Sequence, residues 1–171
     1  PKDRDGNSLG KIFNAFTAPE DLPGARLKYV NTVDHVANLK GWYGFDGTNY
    51  ATDKEIYAAL KDGSYNGGWI IPPRELLAGT ESDGESGIRK GKVIQPDNLL
   101  DHQNKGAFKD TFNKIVTSDS GCPSWYWSST ENRDRPSDMW NVKFPSGRED
   151  WDHKSILRMN CRLVRLVEIK P

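Results

Sequence analysis

Two short segments of this 171-residue sequence concentrate the side chains best suited to binding a polar ligand. Residues 131–138 (ENRDRPSD) combine amide, carboxylate and guanidinium groups, which hydrogen bond readily to a sugar or a polar protein surface. Residues 148–154 (REDWDHK) place Trp151 among alternating charges, a pattern typical of sugar-stacking or interface anchors. The predicted ligand-binding residues are Asn132, Arg133, Asp134, Arg135, Asp138, Arg148, Asp150, Trp151 and Asp152.

Each segment also has a purely structural explanation. Residues 131–138 would suit a solvated turn, and residues 148–154 would suit an edge strand whose Trp151 packs inward. Both segments flank the same predicted sheet, so they can form one continuous surface. We therefore predict that ligand contact, if it occurs, involves the two segments together.

Catalytic chemistry has little support in the sequence. His35, His102 and His153 are scattered, and none lies beside a Cys or Ser in a recognisable nucleophile context. The chain has no CxxC or HExxH motif and no phosphate-binding glycine loop. We predict no catalytic residues and expect that the protein is not an enzyme.

Charge and composition narrow the classes of partner. The 24 basic and 24 acidic residues cancel, which argues against a nucleic-acid footprint or a polybasic membrane patch. No stretch approaches the roughly 20 apolar residues of a membrane span, so we expect no membrane insertion. The sequence begins without Met or an apolar signal segment, which indicates a fragment of a longer protein.

An alternating pattern in the second half predicts a sheet. Residues 125–130 (WYWSST), 140–144 and 157–167 alternate apolar with polar side chains between short Gly, Pro and Asp turns. This period of two is typical of an antiparallel sheet with one buried face. Its tryptophans follow the alternation and are predicted to lie in the core.

The first half predicts mainly helices and loops within the same single domain, residues 1–171. Thr52 or Asp53 is positioned as an N-cap, and Asn31 or Thr32 is positioned similarly before an earlier helix. The predicted segments are an N-terminal arm at 1–28 with a short strand at 12–16, helices at 32–39 and 54–61, a helical turn at 74–77, an exposed glycine-rich loop insertion at 79–92 and a helical pattern at 96–102.

The two cysteines leave two alternatives open. Cys122 precedes the WYWSST run and Cys161 lies in the last predicted strand. They either form one disulfide or remain as two buried thiols.

Several motifs, taken in order, resemble a known family. They are residues 69–76 (WIIPPREL), 97–100 (DNLL), 126–130 (YWSST), 140–147 (WNVKFPSG) and 161–165 (CRLVR). Together they resemble the Legionella collagen-like protein C-terminal domain family, also called the DUF1566 group. The resemblance covers about residues 66 to 167 and extends only loosely to the first 65 residues.

The resemblance implies an α+β, C-type-lectin-like fold: a small antiparallel sheet with two or three helices and long irregular loops. Such domains are commonly displayed at the end of a surface protein or a phage tail-type protein, which implies an extracellular, cell-surface or virion location. The Legionella member binds sulfated glycosaminoglycans, a ligand that does not transfer directly because this chain has no net positive charge. Fold alone leaves function open.

Calcium is the one cofactor that the resemblance raises. Glu149, Asp150 and Asp152 are similar to the acidic calcium ligands of calcium-dependent lectins, but no EPN or QPD tripeptide stands in the preceding loop. We therefore expect no cofactor, with calcium as the alternative.

We predict a non-enzymatic ligand-binding or adhesion module that recognises a glycan or protein receptor. The first alternative is a structural assembly module of a phage tail or surface appendage, which would form homo-oligomers through the parent protein. The second is an enzyme of the formylglycine-generating type, although Cys122 and Cys161 lack the close spacing of that enzyme's cysteine pair.

Overall fold

A computed structural model describes residues 7–81, 83–109, 111–114 and 121–170, and these residues form four helices and seven strands. The helices are α1 (Tyr29–Ala37), α2 (Asp53–Asp62), α3 (Arg74–Ala78) and α4 (Leu99–Asn104). The strands are β1 (Ile12–Thr17), β2 (Gly87–Ile88), β3 (Cys122–Glu131), β4 (Asp138–Lys143), β5 (Arg148–His153), β6 (Met159–Asn160) and β7 (Val164–Ile169). This is a mixed α and β architecture, as predicted, with one helix more than expected in the described residues.

Local signals placed α2 well and α1 less well. Helix α2 begins after Thr52 and ends at Gly63, whose positive φ of 81° suits glycine at a helix end. Helix α1 begins at Tyr29, ahead of the predicted start, and Thr32 lies inside it, where its hydroxyl donates to the Lys28 carbonyl oxygen at 3.0 Å. The predicted cap at Asn31 or Thr32 was wrong because Tyr29 is buried in the core, which extends the helix by a turn.

The larger sheet has the strand order β2-β5-β4-β3-β6. Strands β3, β4 and β5 pair antiparallel, as predicted, but β6 pairs with β3 in parallel. The predicted last strand, 157–167, is divided between β6 and β7, which belong to different sheets. Residues 161–163 between them are fully or almost fully buried and carry the chain through the core to β7, which pairs antiparallel with β1.

The larger sheet is buried on both faces at its centre, contrary to the predicted single buried face. Tyr126 and Trp127 are neighbours on β3, so they point to opposite faces, and neither is exposed. Tyr126 packs in one hydrophobic cluster with Val142, whereas Trp127 packs in a second cluster with Tyr29. The second face is covered by a distant segment, since the Trp127 indole donates to the Leu27 carbonyl oxygen at 2.9 Å.

Core positions were confirmed for two of the three sheet tryptophans. Trp127 and Trp140 are buried, as predicted, while Trp125 is half-buried near the start of β3.

A fully buried ion pair joins the helical half of the chain to β5. The Arg74 guanidinium donates to both oxygens of Glu149, at 3.2 and 2.9 Å, and lies 3.6 Å from the centre of the Trp140 ring. The Thr80 hydroxyl also donates to Glu149, and the Arg74 backbone N–H donates to the Thr130 hydroxyl at 2.8 Å. These bonds satisfy charges that would be very costly to bury alone.

The segment 79–92, predicted as an exposed insertion, is partly buried because it covers this ion pair. Thr80 is fully buried, and the Glu81 carbonyl oxygen accepts a hydrogen bond from Arg74. Gly84 and Gly91 approach Arg74 so closely that a Cβ atom at either position would crowd its guanidinium. Glycine is required at these two positions by close packing.

A second buried ion pair links the N-terminal arm to the last third of the chain. Arg162 donates to the Asp21 carboxylate at 2.9 Å and also binds the carbonyl oxygens of Ala18 and Thr111. The Tyr126 hydroxyl donates to the same carboxylate at 2.6 Å. Burial, with the adjacent Asp21 charge, raises the pKa of the Tyr126 phenol, which therefore acts as a permanent donor.

Removing one partner of the Arg74–Glu149 ion pair should strongly lower the stability of the domain. We expect Glu149→Ala to lower the free energy of unfolding by about 3–5 kcal/mol, because it leaves the Arg74 charge buried without a carboxylate. Urea denaturation followed by tryptophan fluorescence measures the change.

The matched control is Glu85→Ala, which removes an exposed carboxylate from the loop 79–92 and should leave the unfolding midpoint unchanged. Replacing both partners, Arg74→Met with Glu149→Leu, should cost less than the sum of the two single changes. Additive costs would contradict a direct energetic coupling between the two side chains.

Candidate ligand-binding surface

The first predicted segment forms an ordered turn between β3 and β4, here called the arginine loop (residues 132–137). The buried Asn132 side chain accepts hydrogen bonds from the backbone N–H groups of Asp134 and Arg135, at 3.0 and 3.1 Å. This is an Asx turn, in which a side chain takes the place of a backbone acceptor. Asn132 therefore shapes the loop, while Arg133, Asp134 and Arg135 remain exposed.

The arginine loop also contacts the loop 79–92. Nε of Arg133 lies 2.5 Å from the Asp83 carboxylate, and both side chains are about half exposed. Asp83 was missed by the sequence prediction because nothing local relates it to a residue so far along the chain. The contact adds a carboxylate to the surface.

The two predicted segments meet at one end of the larger sheet. Asp138 stands opposite His153 in the β4–β5 pairing, and the Lys154 backbone N–H donates to the Ser137 carbonyl oxygen at 3.0 Å. The Lys154 ammonium group is 2.9 Å from the Glu131 carboxylate. The end of β5 and the arginine loop are thus one connected surface.

Arg148 does not belong to that surface. It begins β5 beside Ile88 of β2, at the opposite end of the strand from His153. At roughly 3.4 Å per residue, the six-residue strand separates them by about 17 Å. Only the last part of the second predicted segment lies near the arginine loop.

Strand alternation separates the predicted residues of β5. Trp151 stands opposite Trp140 and packs against it with ring centroids 4.8 Å apart, so part of its surface is buried. Asp150 and Asp152 project to the opposite face of the sheet. Strand β2 pairs only with the first two residues of β5, so the edge at Trp151 stays open in the described residues. A ligand would have to cross this edge to contact both faces.

The Asp152 carboxyl group is partly buried and lies near two other carboxylates. Partial burial raises the pKa of Asp152, and the neighbouring Asp150 and Asp138 carboxylates raise it further. A hydrogen bond of 2.9 Å from the Asn141 side chain opposes that rise. Asp152 thus keeps its proton to a higher pH than an ordinary surface aspartate.

No protein-family model, curated protein or solved structure matches this chain. The family resemblance therefore stays a prediction.

Within the described ranges, no three His, Cys, Asp or Glu side chains are grouped so that they could hold a metal ion. No helix in the described part of the chain has the length and apolar character needed to cross a membrane.

Of the two alternatives for the cysteines, the structure has the free thiols, with Cys122 half-buried and Cys161 buried. In the parallel β3–β6 pairing, Cys122 stands opposite Met159, and Cys161 follows two residues later inside the core. Burial raises the pKa of Cys161, and partial burial together with the nearby Asp152 raises that of Cys122. Both thiols are consequently poor nucleophiles at neutral pH.

These placements predict the reactivity of the thiols. In the native protein, Ellman's reagent should react slowly with one thiol, Cys122, and with the buried Cys161 only after denaturation. The thermal midpoint should be the same with and without a reducing agent. A native mass that is lower by two hydrogens, or a reductant-sensitive midpoint, would instead indicate a bridge.

Proposed function

We propose that this domain is a non-enzymatic binding module whose contact surface is the arginine loop together with residues 151–154. The observation that carries the proposal is the combination of exposed charges with a fixed backbone. Arg133, Asp134 and Arg135 face solvent, while the Asn132 side chain and the Lys154–Ser137 bond hold the turn in place. A loop that is already ordered loses little conformational entropy on binding, which favours affinity.

The mixture of groups favours a carbohydrate ligand. The arginine loop supplies guanidinium donors beside the carboxylates of Asp134 and Asp83, so both donors and acceptors of a hydroxyl-rich ligand can be matched. Trp151 lies two residues from the end of β5, about 7 Å along the strand, and offers a partly exposed ring for stacking. In keeping with the family resemblance, we propose that the parent protein displays the domain at a cell surface or on a virion.

A test should compare two pairs of arginines. We expect Arg133→Ala with Arg135→Ala to weaken binding to the best glycan of an array by about tenfold or more, since charge-assisted hydrogen bonds contribute strongly to recognition. The matched control, Arg148→Ala with Arg158→Ala, removes two exposed arginines outside the surface and should bind as the unmodified protein does. Binding is measured by titration calorimetry, with and without EDTA, and we expect EDTA to have no effect.

Trp151 needs a conservative change, because its ring packs against Trp140 and Trp151→Ala would also disturb folding. Trp151→Phe should keep the melting temperature within a few degrees and reduce affinity. Equal losses of glycan affinity in the two double-arginine variants would contradict the location of the site. If no glycan of the array binds the domain and a protein receptor does, the proposal that the ligand is a carbohydrate is contradicted.

A further inference from the structure

The smaller sheet has an open edge at β1 in the described residues. Strands β1 and β7 pair along their full length, from Ile12 opposite Ile169 to Thr17 opposite Val164. The other side of β7 is covered over its first half, because Val164 exchanges two backbone hydrogen bonds with Ile70, at 2.8 and 3.0 Å, and the Leu166 N–H donates to the Tyr65 hydroxyl at 3.1 Å. On the other side of β1, no strand pairs with it among the described residues. Its outward backbone groups are therefore available to another strand.

The composition of β1 does not protect this edge. Natural proteins discourage edge pairing with charges, prolines or very short strands. The other edge strands follow that rule, since β2 and β6 have two residues each and the open part of β5 carries two aspartates. Strand β1 reads IFNAFT over six residues, without a charge, a proline or a glycine.

The outer face of the same sheet is apolar and exposed. Alternation and register place Ile12, Phe16, Val167 and Ile169 on one face, around Asn14, with Arg165 opposite Phe16 at one end. Their exposed fractions are 65%, 48%, 39% and 45%, respectively, which is high for such side chains. An open edge and an apolar face on the same ribbon are the two features that strand addition would use.

We propose that β1 is a self-association edge, at which a second copy of this chain adds its own β1 antiparallel to form a four-stranded sheet, β7-β1-β1-β7. The pleat restricts the register, because residues directly opposite each other must share a face. A two-fold axis at Asn14 satisfies this condition, and it places Ile12 of each copy opposite Phe16 of the other.

The residues of β1 are complementary to themselves in this register. The two Asn14 amides meet at the axis, where each can donate and accept one hydrogen bond. On the inner face, the small and exposed Ala15 stands opposite the bulky Phe13, so the larger ring has space. No like charges oppose each other, since Lys11 falls opposite Thr17. The polar pair on the apolar face would select this register, as buried asparagines do in coiled coils.

The strength of the contact is limited by its size. One strand edge and a few apolar side chains bury less surface than a standard stable interface, so we expect a dissociation constant in the micromolar to millimolar range. The association does not depend on the proposed ligand-binding surface, because the two share no residue.

Analytical ultracentrifugation of the full chain, from about 10 μM to 1 mM, tests the proposal. We expect a monomer–dimer equilibrium that Asn14→Lys weakens by about tenfold or more, because it sets two like charges face to face. Asn31→Lys is the matched control, with the same substitution at an exposed position on α1, and should dimerise like the unmodified chain. Mixing the Asn14→Lys and Asn14→Asp variants should restore a dimer.

A crosslink tests the register. In a Cys122→Ser background, Asn14→Cys should form a reducible dimer on mild oxidation, because directly opposed Cα atoms lie roughly 4.5–5.5 Å apart in antiparallel strands, within disulfide range. Asn31→Cys should not crosslink at the same rate. An unmodified chain that stays monomeric over the whole range, or an Asn14→Lys variant that dimerises normally, would overturn the proposal, and a failed crosslink would overturn the register.

Discussion

The buried ion pair between Arg74 and Glu149 is the constraint on which the arrangement of this domain depends. Two opposite charges are removed completely from water, which is tolerable only because each also has further partners. Arg74 stacks on Trp140 and is bonded through its backbone to Thr130, while Glu149 also accepts from Thr80. Helix α3, the loop 79–92 and strands β3, β4 and β5 are thereby held by one network.

This network explains why the candidate surface can be both exposed and ordered. Glu149 is the second residue of β5, so the ion pair anchors the strand at the end away from the arginine loop. At the other end, the hydrogen bond from Lys154 to Ser137 ties β5 to the loop. Trp151 lies between the two anchors and contacts Trp140, the ring on which Arg74 stacks. Trp151 of the candidate surface is thus linked to the buried Arg74 guanidinium through a single side chain, Trp140.

The two proposed contact regions differ in the chemistry that they expose. The arginine loop presents charges on a turn that is closed by its own hydrogen bonds, so it can meet a polar ligand without offering a strand edge. Strand β1 presents unpaired backbone and apolar side chains with no charge to repel another copy. Association through β1 would leave the arginine loop unoccupied, and paired copies would present two ligand-binding surfaces, which increases avidity for a repeating ligand.

The sequence alone determined the local elements and the chemistry of the surface. Alternation predicted β3 and β4, Thr52 or Asp53 marked the start of α2, and the two charged segments could be recognised by composition, because each signal lies within a few neighbouring residues. Only the tertiary structure decided how these parts combine. It divided the last predicted strand between two sheets, buried the second face under the N-terminal arm and left both cysteines unpaired.

The same distinction applies to the candidate site. Arg133 and Arg135 were identified by type, but Asp83 was not, and Arg148 was grouped with residues that lie at the far end of its strand. Membership of a site depends on strand register, on the face to which each side chain points and on contacts between distant segments. Those are set by the packing of the whole chain, chiefly by its buried ion pairs, and no short stretch of sequence contains them.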